Sequence, residues 1–95
     1  MKLTTRSGLH QNLGEYLRGK RVTAGFTQAE IANKLGYSSP QFISNFERGL
    51  CSPPLKNLKS LVKLYKINTD ELIRLIIDEQ KQVLSSALGN RSKRN

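Results

Sequence analysis

The stretch Thr27–Gly49, TQAEIANKLGYSSPQFISNFERG, reads as two short helices separated by a tight turn. Thr27 is a good N-cap, Glu30 three residues on has the spacing of a capping box, and Ile31 and Leu35 follow one turn apart. Gly36 stops that helix, because a glycine just past the last turn takes up left-handed backbone without a Cβ clash. A second helix restarts almost at once, with Ser39 as N-cap and Pro40 at the first helical position, where its missing N–H is no loss. Gly49 ends it.

On the second helix, Ile43, Phe46 and Glu47 share one face, while Gln41, Ser44, Asn45 and Arg48 fall on the opposite one at spacings of three and four. The first face is built to pack. The second is polar, and amides of Gln and Asn can pair with both hydrogen-bonding atoms of adenine in the major groove, which is wide enough to admit a helix.

At these residues the chain resembles the Cro-like, lambda-repressor-like helix-turn-helix family. The resemblance lies in Thr27-Gln28-Ala29-Glu30-Ile31-Ala32, in Leu35-Gly36, in Ile43-Ser44 and in Phe46-Glu47-Arg48-Gly49, and it continues through Pro53, Leu55, Leu58 and Leu61. It covers most of the chain, from Leu13 to Leu75, and implies an all-α, five-helix domain that binds double-stranded DNA. One departure stands out: between Gly36 and Ser44 there is one residue more than the common family spacing, placed here in the turn around Tyr37 and Ser38. The Ser39-Pro40 start signal then falls where the recognition helix should begin.

Composition narrows the remaining classes. Ninety-five residues suit one small domain with few apolar side chains to spare. A single Cys excludes an internal disulfide, and with His10 it offers no metal cluster, so no metal or other cofactor is expected. No signal-like or membrane-length apolar run is present, which reads as a soluble, cytoplasmic chain, nucleoid-associated when on DNA, with no membrane partner. The net charge of +9 is uneven: residues 1–66 hold eleven Lys and Arg against three acids, and residues 67–95 hold five against four. A positive field around the helix-turn-helix attracts phosphate backbones.

Residues 1–11 show no clear period and are expected as a flexible basic arm, residues 12–88 as the domain, and 89–95 as a disordered basic tail. The first helix should run from Asn12 to Ala24, with Leu13, Leu17 and Ala24 inward and Gly25 as its stop. Phe26 should plug the core between the first two helices. After the loop Leu50–Pro54, a fourth helix over Leu55–Tyr65 should bury Leu55, Leu58, Leu61, Val62 and Tyr65, leaving Lys56, Lys59, Lys63 and Lys66 on its surface. A fifth helix opens at the N-cap Asn68, with Glu71 completing a capping box, and continues to about Leu88. Leu72, Leu75 and Ile76 close the core, and Ile73, Ile77, Gln80 and Leu84 form a second stripe read as a homodimer seam.

Arg21 falls on the inner stripe of the first helix and needs a partner. The resemblance supplies Glu47 as the other half of a structural ion pair. It also implies that Gln28 binds a phosphate and braces the recognition helix, with Ser39, Arg48 and Lys56 as further phosphate ligands. Base reading falls to Gln41, Ser44 and Asn45. Pro40 occupies a place where many relatives carry a polar reader, and Phe42 either joins the core beside Phe46, the favoured reading, or touches a thymine methyl. The implied function is transcriptional regulation, most simply repression, by a dimer on a palindromic operator. Two alternatives keep the same fold: an antitoxin or partner-controlled regulator whose last helix binds another protein, and an interaction module without DNA. One His and no inward-facing acid pair argue against an enzyme.

Overall fold

The computed structural model describes residues 11–89, and these form five helices: α1 Gln11–Ala24, α2 Gln28–Leu35, α3 Gln41–Glu47, α4 Leu55–Tyr65 and α5 Thr69–Ala87. No strand occurs among the described residues. The expected arm and tail lie outside them, except that Gln11 is the first residue of α1 and Gly89 follows α5.

Local chemistry sets most helix ends. The Thr27 hydroxyl accepts from the Glu30 N–H at 3.0 Å and the Glu30 carboxylate accepts from the Thr27 N–H at 2.8 Å, closing the capping box of α2. Gly36 at φ 85° and Gly49 at φ 78° turn the chain out of α2 and α3. In both places the residue after the glycine donates back across the last turn, Tyr37 to the Ala32 carbonyl and Leu50 to the Asn45 carbonyl. The expected start of α3 is off by one: Pro40, not Ser39, holds the cap position and the helix runs from Gln41, because the first helical bond is the Ser44 N–H to the Pro40 carbonyl. The Ser39 hydroxyl accepts only from the Gln41 N–H, at 3.3 Å. The capping box expected for α5 is only half formed. Asn68 accepts from the Glu71 N–H, but the Glu71 carboxylate turns away to take the Tyr16 hydroxyl at 2.7 Å and lies 3.9 Å from Lys20.

The core gathers Leu13 and Leu17 from α1, Ile31 and Ala32 from α2, Ile43 and Phe46 from α3, Leu58, Leu61 and Tyr65 from α4, then Ile67 and Leu72. Leu75, Ile76 and Phe26 pack against it half-buried. Three residues expected inside are not. Ala24 is exposed, at the last position of α1. Leu55 is 82% exposed, since a side chain at the first position of a helix leans past the helix end. Phe42 is 48% exposed and stacks on Tyr37, with ring centroids 4.7 Å apart, instead of joining Phe46 inside.

Two long-range contacts seat α1. A Cβ on Gly14 would stand 2.5 Å from the Glu47 carbonyl oxygen and 2.6 Å from that of Phe46, so α1 meets the end of α3 backbone to backbone. The first turn of α1 has no acid of its own, and Glu79 of α5 supplies one. Its buried carboxylate accepts from the Asn12 N–H at 2.6 Å and the Leu13 N–H at 3.1 Å, satisfying two orphan donors at the positive end of the helix.

The two helical glycines of α1 therefore answer oppositely to Ala. Gly14→Ala should cost about 2 kcal/mol by overpacking against backbone, whereas Gly19→Ala, with nothing within 4 Å of the added methyl, should gain up to about 1 kcal/mol in helix propensity. Urea midpoints of the two variants check both signs. Alkali tests α1 differently. Desolvation first, and then the hydrogen bond to Glu71, push the Tyr16 phenol up to about 12 from 10.0. The folded chain keeps this proton after the unfolded chain has lost it, so Tyr16 contributes stability below pH 10 that disappears as pH rises to about 12. Tyr16→Phe should flatten the unfolding midpoint over that window.

Candidate nucleic-acid interface

The back of α3 is held by one carboxylate. Glu47 is buried, and its Oε2 accepts from Arg21 Nε at 2.6 Å while its Oε1 accepts from another Arg21 nitrogen at 3.1 Å and from Gln28 Nε2 at 2.9 Å. The remaining Arg21 nitrogen donates to the Phe26 carbonyl at 2.8 Å, so the guanidinium fork is used on both sides. Hydrogen bonding to Glu47, and then its charge, raise the Arg21 pKa further, against desolvation that pulls it down. Burial first, and the Glu47 charge second, also push the nearby Tyr65 phenol up. The only acid of α3 is thus neutralised inside the domain, and its outward face carries no negative charge.

That outward face presents Gln41 and Arg48 exposed, with Ser44 and Asn45 half-buried. Gln41 Nε2 donates to Asn45 Oδ1 at 2.9 Å across one turn. This bond orients both amides before any ligand arrives, leaving the Gln41 carbonyl oxygen and the Asn45 amino group free to meet a base edge. Ser39 sits exposed beside Gln41, bonded to its N–H. Gln28, Ser39, Gln41, Ser44, Asn45 and Arg48 are therefore assembled on or against one helix. Lys56 stands apart, since its side chain lines a groove between α4 and α5. Gln28 Nε2 donates one N–H to Glu47 and keeps a second, which could meet an anion.

Sequence reasoning missed the brace on the turn before α3. Tyr37 stacks on Phe42, meets Phe46 edge-on at 6.2 Å and has its hydroxyl bonded by the buried amide of Asn57 on α4. A tyrosine in a turn reads as loop, and the only hint was a polar Asn57 beside the apolar stripe of α4.

The helix-turn-helix family model matches residues 13–72, well over half of the chain. The chain belongs to the Cro-like helix-turn-helix family. In this family framework α2 and α3 are the paired helices, and the matched span runs from α1 into the first turn of α5. The HTH-type transcriptional regulator ImmR of Bacillus subtilis (strain 168) is 39% identical over 62 residues, which is 65% of this chain and 48% of that relative. The chain thus matches about half the length of this curated relative. No solved structure gives a significant match. Ile77, Glu79 and Leu84 of this helix-turn-helix protein lie beyond the matched span, so the outer part of α5 is read from the structure alone.

Glu47→Gln should destabilise the domain by about 3–5 kcal/mol, because it strands a desolvated guanidinium. The double variant Arg21→Met, Glu47→Leu should recover much of that loss. A double-mutant cycle in urea built from Arg21→Met, Glu47→Leu and their combination, with DNA affinity measured alongside, separates the strength of the pair from its role in aiming α3.

Proposed function

We propose that this protein is a sequence-specific double-stranded DNA-binding transcriptional regulator, a repressor that binds a palindromic operator as a homodimer. The observation that carries this reading is the Gln41–Asn45 amide pair, set outward on a helix whose back is anchored by Glu47. Gln41 and Asn45 read adenine in the major groove, with Ser44 as a third reader. Ser39 and Arg48 at the two ends of α3, Gln28 through its second N–H, and Lys56 at the start of α4 take phosphates and set register. Similarity to ImmR, a transcriptional regulator, supports the same role.

Dimerisation falls to α5. Ile73 at 48%, Ile77 at 59% and Leu84 at 56% exposure, with exposed Gln80 between them, form an apolar seam that its own domain leaves open. A two-fold dimer built on it would place two α3 helices in successive major grooves about 34 Å apart.

Selection of bound sequences from a random DNA pool should return a palindrome, and a pool without consensus would refute the reading. On the selected site, Asn45→Ala should cost about 1–3 kcal/mol and relax the choice of one base pair in each half. If about six phosphates are neutralised, affinity should fall on the order of a thousandfold between 50 and 200 mM salt. Activity that survives Gln41→Ala with Asn45→Ala would instead mark an interaction module that does not use DNA.

A further inference from the structure

An open groove of about 740 Å³ runs between α4 and α5, and its walls are almost wholly apolar. Leu55, Leu58 and Val62 line one side; Leu72, Ile73 and Ile76 line the other. The lip on the α4 side is formed by Lys56, Lys59 and Lys63, which repeat the 3,4 spacing of the leucine row one residue later and so run beside it for roughly 10 Å. All three are exposed, lending their aliphatic stems to the groove and keeping their ammonium groups in water. On the α5 side the groove is lined by Thr69, Leu72, Ile73 and Ile76, with no charged side chain among them.

From this arrangement we infer that the α4–α5 groove docks an amphipathic helix of a partner protein, one that carries a leucine-type stripe with acidic residues along a single flank. Burial of Leu55 and Ile73 drives the association, and the lysine row fixes which way the helix lies. The occupant is a different protein and not a second copy, because no helix among the described residues offers that pattern. Of its seven acids, Glu47 and Glu79 are buried, Glu30 closes the α2 cap, Glu71 is bonded to Tyr16 and Glu15 to Gln11. Asp70 and Asp78 remain, and Arg74 and Lys81 interleave with them on α5. Residues 1–10 and 90–95 contain cations and no acid, so the chain's own ends have the same sign as the lysine lip.

Docking itself does not depend on the DNA-binding proposal. Its consequence does: Lys56 is the proposed phosphate ligand and Ile73 begins the proposed dimer seam, so an occupied groove should release DNA.

The test is a displayed library of amphipathic helices with leucines at i, i+3 and i+7 and flank positions encoding Glu or Lys equally, selected on the full chain. Glutamate should accumulate on one flank only. Leu55→Ala, at a side chain that supports nothing in the free protein, should weaken a selected peptide at least tenfold, and Lys59→Glu with Lys63→Glu should invert the preference toward lysine. Thermal unfolding by circular dichroism verifies that each variant is folded. Selection without a glutamate bias, or affinity indifferent to Leu55 and the lysines, overturns the inference. So does a shift of the monomer–dimer equilibrium by Leu55→Ala in sedimentation when no peptide is selected, since the groove would then belong to a second copy. A peptide that docks while DNA stays bound removes only the regulatory consequence, whereas a chain that binds no operator removes the DNA reading and leaves the docking result standing.

Discussion

The carboxylate of Glu47 joins three helices at one point. It lies at the end of α3, takes two hydrogen bonds from Arg21 of α1 and one from Gln28 of α2, and is shielded from water by the core that it borders. Burying a charge is unfavourable unless its partners are held in place, and here they are held by helices whose own packing depends on the same contact. The backbone approach at Gly14 completes the joint, since α1 can lie on the end of α3 only where no side chain intervenes. The orientation of the exposed amides on α3 therefore follows from an interaction on its opposite side.

A second buried carboxylate plays the matching part at the other end of α1. Glu79 caps that helix from α5, so the long C-terminal helix is tied to the start of the domain rather than trailing from it. This anchor explains how α5 keeps its outer face of Ile73, Ile77 and Leu84 open without detaching: its inner face is secured by Leu72 and by a charge-assisted cap. The exposed row and the adjoining groove thus lie on a helix that is tied to the domain through its inner face. Leu55, Ile73 and Ile77 are the exposed apolar side chains on which the proposed seam and groove rest.

Much of this was legible in the residues because it rests on contacts a few positions apart. The Thr27–Glu30 cap, the glycine exits at Gly36 and Gly49, the bounds of α4 and the inward set Ile43, Phe46 and Glu47 all follow from periodicity and end chemistry within one or two turns. Where two local options were equally good, the pattern misled. Leu55 fits the apolar stripe of α4 yet lies at its unsupported first position, and Phe42 fits a core face yet finds a better neighbour in Tyr37. Glu71 had the spacing of a capping box, but a phenol and an ammonium from α1 compete for the same oxygens.

By itself the sequence determined five helices, the capping box of α2 and which face of α3 is polar, since each depends on side chains that meet within a turn. Tertiary structure alone decided that Gly14 is a contact point, that Glu79 caps a helix 66 residues away and that the α4–α5 groove exists. The reason is that no local pattern encodes a partner so remote: the identity of that partner is settled only when packing brings the two segments within hydrogen-bond or van der Waals distance.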